Sequence, residues 1–164
     1  MRKIVLSVIL ITLLVITVFS NFILLPKPDP VPPVAFDTGD TAWMIVATAL
    51  VLIMTPGLGF FYGGMVGKKN VISTMLQSFM AMIIVTVLWV VVAFGLSFGP
   101  TIGGIIGNPL PNLFFQGVNT NTAWSLAPTI PFMLFALFQA KFAIITPALI
   151  TGAFAERIRF WAYL

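Results

Sequence analysis

Pro56 and Gly57 stand in the middle of a long apolar run that ends at two adjacent lysines, Lys68 and Lys69. Proline inside a helix removes a backbone donor. Within a membrane, the carbonyl it leaves unpaired is tolerated only where neighbouring helices or a lined cavity satisfy it. A helix over this stretch is therefore bent and packed against others, not coated by lipid on every side. Gly59 and Gly63 fall four residues apart on one helical face, with Gly64 and Gly67 after them, so a second backbone can approach closely there. The paired lysines do not belong in a bilayer core and mark a water-facing end. The segment from Met54 to Asn70 is the part of the chain around which the rest must be arranged.

Composition makes the surroundings a lipid bilayer. Of 164 residues, 60% are hydrophobic and 7% are charged. An ordinary soluble domain carries roughly 25% charged residues, so a water-facing surface cannot be assembled from this supply. The net charge of +4 is small and scattered, which implies no nucleic-acid partner. Its basic residues are read instead through the positive-inside rule, by which Lys68 and Lys69 lie on the cytoplasmic side. Cysteine and histidine are absent, which removes thiolate metal sites and the commonest proton relay from this sequence. No metal site and no cofactor are implied. There is no paired nucleophile and base, no metal-ligand cluster and no phosphate-cradling loop, since Gly63-Gly64 has no Lys-Ser/Thr sequel. An enzyme is not expected.

Arg2 and Lys3 precede an apolar run from Ile4 to Leu25. Val18-Phe-Ser20 fits a signal-peptide cleavage pattern, while Phe22 to Leu25 lengthens the run towards the roughly 20 residues that an uncleaved anchor needs. Either way the basic start stays inside and the chain beyond Leu25 is delivered outside. Pro26 to Pro33 reads as an extended tether, so residues 1–36 divide from a transmembrane domain over 37–164. Asp37 and Asp40 supply an N-cap and first-turn negative charge for a helix from about Ala42 to Gly64, with Trp43 as an interfacial belt residue. A second span runs from Val71 to Phe98 and stops at Gly99-Pro100. From Thr101 to Thr129 lies a Gly/Pro/Asn-rich loop with no lysine or arginine, as expected outside. There Ile105, Phe114, Phe115 and Trp124 lie against the interface or cap the protein. A third span starts near Ile130, crosses Pro147 and reaches about Ala155. Glu156 beside Arg157 and Arg159 reads as a salt-bridged inner helix end. Phe160 to Leu164 reads as the opening of a fourth span cut short, so the chain is expected to be the front part of a longer protein.

Two ordered stretches carry a resemblance. Thr48 to Asn70, which includes Met54-Thr-Pro-Gly-Leu-Gly-Phe-Phe-Tyr-Gly-Gly-Met-Val-Gly-Lys-Lys-Asn70, and Phe138-Gln-Ala-Lys-Phe-Ala-Ile-Ile-Thr-Pro-Ala-Leu-Ile-Thr-Gly-Ala-Phe-Ala-Glu-Arg-Ile-Arg-Phe160 resemble the ammonium transporter (Amt/Mep/Rh) family. The resemblance covers Asp37 to Leu164. It implies an all-α, polytopic helical membrane protein: the first three spans and the start of a fourth of an eleven-helix fold, which assembles as a homotrimer with one path through each subunit. Ammonium or ammonia is the implied substrate, and a cytoplasmic regulatory protein an implied partner. By the matched motifs, Phe138 and Phe142 correspond to the outer recruitment site and gate. Leu58, Phe61 and Tyr62 correspond to the inner path lining, and Leu149 to a wall of the apolar lumen. The family's outer-site tryptophan and serine, its structural aspartate and its paired pore histidines belong to later helices.

Read from the residues alone, these positions have plainer roles as well. Phe138, Phe142, Ile145 and Leu149 recur at helical spacing as one stripe, which is most often packing, and a tyrosine near a helix end is most often an interfacial anchor. Lys141 departs from the family pattern. It lies between the two phenylalanines and well inside the span, where a charge costs about 2.5–3.5 kcal/mol on insertion scales. Either it snorkels or pairs with an acid from a later helix, or it faces the path and modifies selectivity. The second alternative connects to a different class of function, an ammonium sensor or non-conducting scaffold on the same fold.

Overall fold

Asp37 begins the ordered architecture of the computed structural model, which describes residues 35–163. Its carboxylate accepts a hydrogen bond from the Asp40 amide at 2.7 Å, and its carbonyl accepts one from the Thr41 hydroxyl at 2.7 Å. This N-cap opens helix α1, Thr38–Met65. The helix starts four residues earlier than Ala42 because the cap satisfies the free Asp40 amide in its first turn. It continues through Pro56 without interruption. The leader, the proline-rich tether and Leu164 lie outside the described residues.

The second span comprises α2, Val71–Leu88, a π-helical turn Trp89–Ala93, and α3, Phe94–Phe98. In the π turn the Phe94 amide bonds to the Trp89 carbonyl. This extra residue per turn leaves Trp89 and Phe94 both buried. The Trp89 indole N–H donates to the Ala136 carbonyl at 3.1 Å, tying the span to the third long helix, α4, Phe132–Phe154. A short helix α5, Phe160–Tyr163, comes after it.

The segment between the second and third spans is more regular than its composition predicts. Two antiparallel hairpins form, β1 (Thr101–Ile102) with β2 (Ile106–Gly107), and β3 (Ala123–Trp124) with β4 (Ala127–Pro131). Between them Leu110–Phe115 forms 3-10 turns broken by a kink at Leu113 and Phe114. Gly103 and Gly104 turn the first hairpin at φ +62° and +77°, a conformation only glycine adopts freely. Helix α4 begins at Phe132 and not near Ile130, because a residue before proline is pushed out of the α region. Ile130 and Pro131 therefore end strand β4.

Helices α1, α2 and α4 pack pairwise against one another. On α1 the buried face is Thr55, Gly59 and Gly63. A Cβ on Gly59 would lie 3.4 Å from the Ser78 Cβ, and one on Gly63 would lie 3.0 Å from the Met75 Cγ. The close approach expected at these glycines is thus filled by α2. Ala136, Ala140, Ala148 and Thr151 give α4 the same small-residue character.

At the hairpin end an aromatic cluster closes the bundle. Phe94 is fully buried, with ring centroids of Trp89, Phe98, Phe115 and Phe132 between 5.4 and 5.7 Å away. The Trp124 and Phe135 rings meet at a tilt of 45°, with centroids 4.4 Å apart. Phe115 and Trp124 therefore cap the cluster, whereas Ile105 is 92% exposed. Thr38–Met65, Val71–Phe98 and Phe132–Phe154 are each long and apolar enough to cross a membrane.

Truncation at the centre of this cluster, Phe94→Ala, is expected to destabilise the protein by about 3–5 kcal/mol. Ile105→Ala should change stability by about 0.5 kcal/mol or less. Thermal midpoints of the two variants in detergent check the contrast.

Candidate functional site

The residues singled out in the sequence lie on α1 and α4. On α4, Ala136, Ala140, Ile144, Ala148 and Thr151 are buried against the other helices. Phe142 and Leu149 lie on the opposite side, 43% and 49% exposed, with Phe138 half-buried on the same side. The rings of Phe138 and Phe142 meet edge to face at 5.1 Å and 70°. Their spacing of one helical turn brings this pair together. Ile145, expected in the same stripe, is buried at 7% exposure. At 3.6 residues per turn it is offset by about 60° from Phe142, on the side of the stripe nearer the packed face.

Lys141 is half-buried on the flank of this face. Among the described residues, no ion pair or hydrogen bond engages it.

At the lysine end of the bundle, α1 and α4 join around Tyr62. Its hydroxyl donates to the Leu149 carbonyl at 3.1 Å. The ring lies against Gly152, where an added Cβ would fall 2.7 Å from the Tyr62 Cε1. Tyr62, Leu149, Gly152 and Glu156 line a cavity of about 300 Å³ together with neighbouring apolar residues. Leu58 and Phe61 do not line it. Leu58 is half-buried further along α1, and Phe61 is exposed, with its ring edge-on to Tyr62 at 5.5 Å. The structure thus unites Tyr62 with Leu149 and Phe138 with Phe142, but it does not draw Leu58 and Phe61 into the same cavity.

Glu156 departs from the expected salt-bridged helix end. Its Oε1 accepts from the Gly67 amide at 2.6 Å and from the Asn70 side-chain amide at 3.1 Å. Among the described residues it makes no ion pair with Arg157 or Arg159. The reason is local. Glu156 has φ +64° beyond the end of α4, so it no longer shares a helical face with the two arginines after it. The Asn70 side chain, and after it the Gly67 amide, hold the carboxyl below the ordinary glutamate range, while desolvation opposes them weakly. A lowered carboxyl pKa contributes stability that is present above the unfolded value and is lost as pH falls through the folded value. This contact is therefore intact at neutral pH.

Three apolar helices of spanning length, packed through glycine and alanine and carrying an uncovered aromatic pair, define a multi-pass helical membrane protein. Residues 42–164 match the model of the Ammonium Transporter Family. The chain belongs to that family. It is 48% identical over 141 residues to an ammonium transporter of Mycobacterium tuberculosis, covering 78% of this chain and 30% of the relative. It is 46% identical over 126 residues to an ammonium transporter of Bacillus subtilis, covering 77% of this chain and 30% of the relative. Among solved structures, Saccharomyces cerevisiae Mep2 superposes with a TM-score of 0.66 at 32% identity, over 78% of this chain and 30% of that one. Candida albicans Mep2 gives 0.65 at 31% identity, over 78% and 28%. The chain thus spans about 30% of the length of the curated relatives it matches.

The seat of Tyr62 gives a direct test. Gly152→Ala forces the ring away and should cost about 1–3 kcal/mol as an overpacking change. Combining it with Tyr62→Leu should recover part of that loss. The measurement is the thermal midpoint of each variant.

Proposed function

We propose that the protein to which this chain belongs transports ammonium across the membrane, capturing it at an aromatic site and passing ammonia through an apolar lumen. The observation that carries this reading is the edge-to-face pair of Phe138 and Phe142 on the uncovered side of α4, above Leu149 on the same side. Family membership supports this substrate class, because the relatives are named ammonium transporters.

The energetics favour this division of labour. An aromatic face attracts a desolvated cation by about 2 kcal/mol or more. Carrying the bare charge through an apolar lumen would cost tens of kcal/mol. Loss of a proton after capture removes that cost, and neutral ammonia then meets only apolar walls such as Leu149. In this reading the Phe138–Phe142 pair faces outwards and forms the gate. Tyr62, with Leu58 and Phe61 nearby, belongs to the inner end of the path, and the Lys68–Lys69 end is cytoplasmic. The uncovered faces of α1 and α4 are covered by later helices of the same fold, and the assembly is a homotrimer with a cytoplasmic regulatory partner. Residues 1–36 are a separate leader or anchor and tether.

Lys141 favours a second reading. A half-buried cation with no counter-ion among the described residues, next to the aromatic pair, opposes the entry of another cation. On that reading the protein senses ammonium without conducting it.

In the full-length protein, Phe142→Ala is expected to lower ammonium uptake by about ten-fold, equivalent to about 1.4 kcal/mol at the barrier. Unchanged rate and selectivity would reject the gate. Lys141→Met should alter uptake at equal expression if the lysine faces the path, and expression alone if it is structural. Uptake of labelled methylammonium into proteoliposomes, normalised to protein, separates these results.

A further inference from the structure

We infer that Glu156 is a positioning residue that latches the loop after the first span to the end of the third, and so sets the width of the cavity beside Tyr62. Its effect on transport rests on the proposed function, whereas the latch itself stands on geometry.

Two independent ties join these helices at their lysine end. The Tyr62 hydroxyl reaches the Leu149 carbonyl, and the Glu156 carboxylate takes both the Gly67 amide and the Asn70 side chain on one oxygen. Two glycines make the ties sterically possible. A Cβ on Gly152 would strike the Tyr62 ring, and one on Gly67 would lie 3.1 Å from Glu156 Oε1. Beyond the end of α4, the left-handed backbone at Glu156, φ +64°, lies where its carboxylate meets the loop. Such a conformation is strained for a non-glycine residue and persists only where its surroundings hold it. Val66, the first residue of the loop, lines the same cavity as Tyr62, Leu149, Gly152 and Glu156, so movement of the loop alters the wall of that cavity.

The exposure of the latch separates positioning from plain stabilisation. Glu156 is exposed, so water replaces its hydrogen bonds when they break and the fold loses little. The loss of a residue that holds a loop in register is therefore expected in geometry and rate more than in stability.

The test uses the full-length protein in liposomes, with spin labels at Lys68→Cys and Arg157→Cys. Glu156→Ala is expected to lengthen and broaden the distance between the labels. It should lower maximal methylammonium uptake by about three-fold or more at unchanged half-saturation concentration. The thermal midpoint should stay within about 2 °C of wild type. Glu156→Gln keeps an acceptor oxygen for the Gly67 amide and should restore both distance and rate. An unchanged distance in Glu156→Ala overturns the latch. A lengthened distance with full uptake overturns its role in transport. If the wild-type protein carries no methylammonium or ammonium, the proposed function fails, and the distance measurement still decides the latch.

Discussion

Close contact between helices through small residues is the constraint on which the rest of this structure depends. In an apolar surrounding, helix association gains nothing from burying oil-like side chains, so it relies on near-backbone packing and on satisfied polar groups. Gly59 and Gly63 give α1 that contact with α2, while Ala136, Ala140 and Ala148 give it to α4. Small residues facing inwards leave the large ones facing outwards. Phe60, Phe61, Phe142 and Leu149 are therefore presented on surfaces that this part of the chain does not cover.

The two ends of the bundle solve different problems. At the hairpin end, the chain must leave one helix, cross over and enter another without exposing backbone to lipid. The aromatic cluster around Phe94 and the bond from Trp89 to Ala136 anchor that crossover. At the lysine end only Val66 to Asn70 separate α1 from α2, and this short loop is held by a carboxylate from beyond α4. One end is closed by apolar mass, the other by directed hydrogen bonds in an aqueous setting. The second kind of closure is the more readily exchanged, because such bonds are replaced by water at little cost.

Much of this was legible from residue order. The first span, expected from about 42 to 64 and found at 38–65, the second at 71–98, the glycine face of α1, the Asp37 cap and the pairing of Phe138 with Phe142 all arise from local rules of periodicity, capping and turn spacing. The misses share a cause. The apolar run continues through Ile130 and Pro131, yet those residues form a strand because pairing with β3 and the restriction before proline outweigh hydropathy. Ile145 fits the exposed stripe by spacing, but a neighbouring helix covers the edge of that stripe. Glu156 next to two arginines reads as an ion pair, and only the folded chain brings Gly67 and Asn70 to it.

By itself the sequence determined the class, the number of long apolar helices within residues 38–154, the glycine packing face of α1 and the family, because hydropathy, small-residue spacing and extended motifs are local properties of the chain. The tertiary structure alone decided which predicted site residues meet. Tyr62 and Leu149 are 87 positions apart and Gly67 and Glu156 are 89 apart. Contacts at such separation depend on how three helices are rotated and translated against each other, and that geometry is fixed by packing throughout the bundle, not by any stretch read alone.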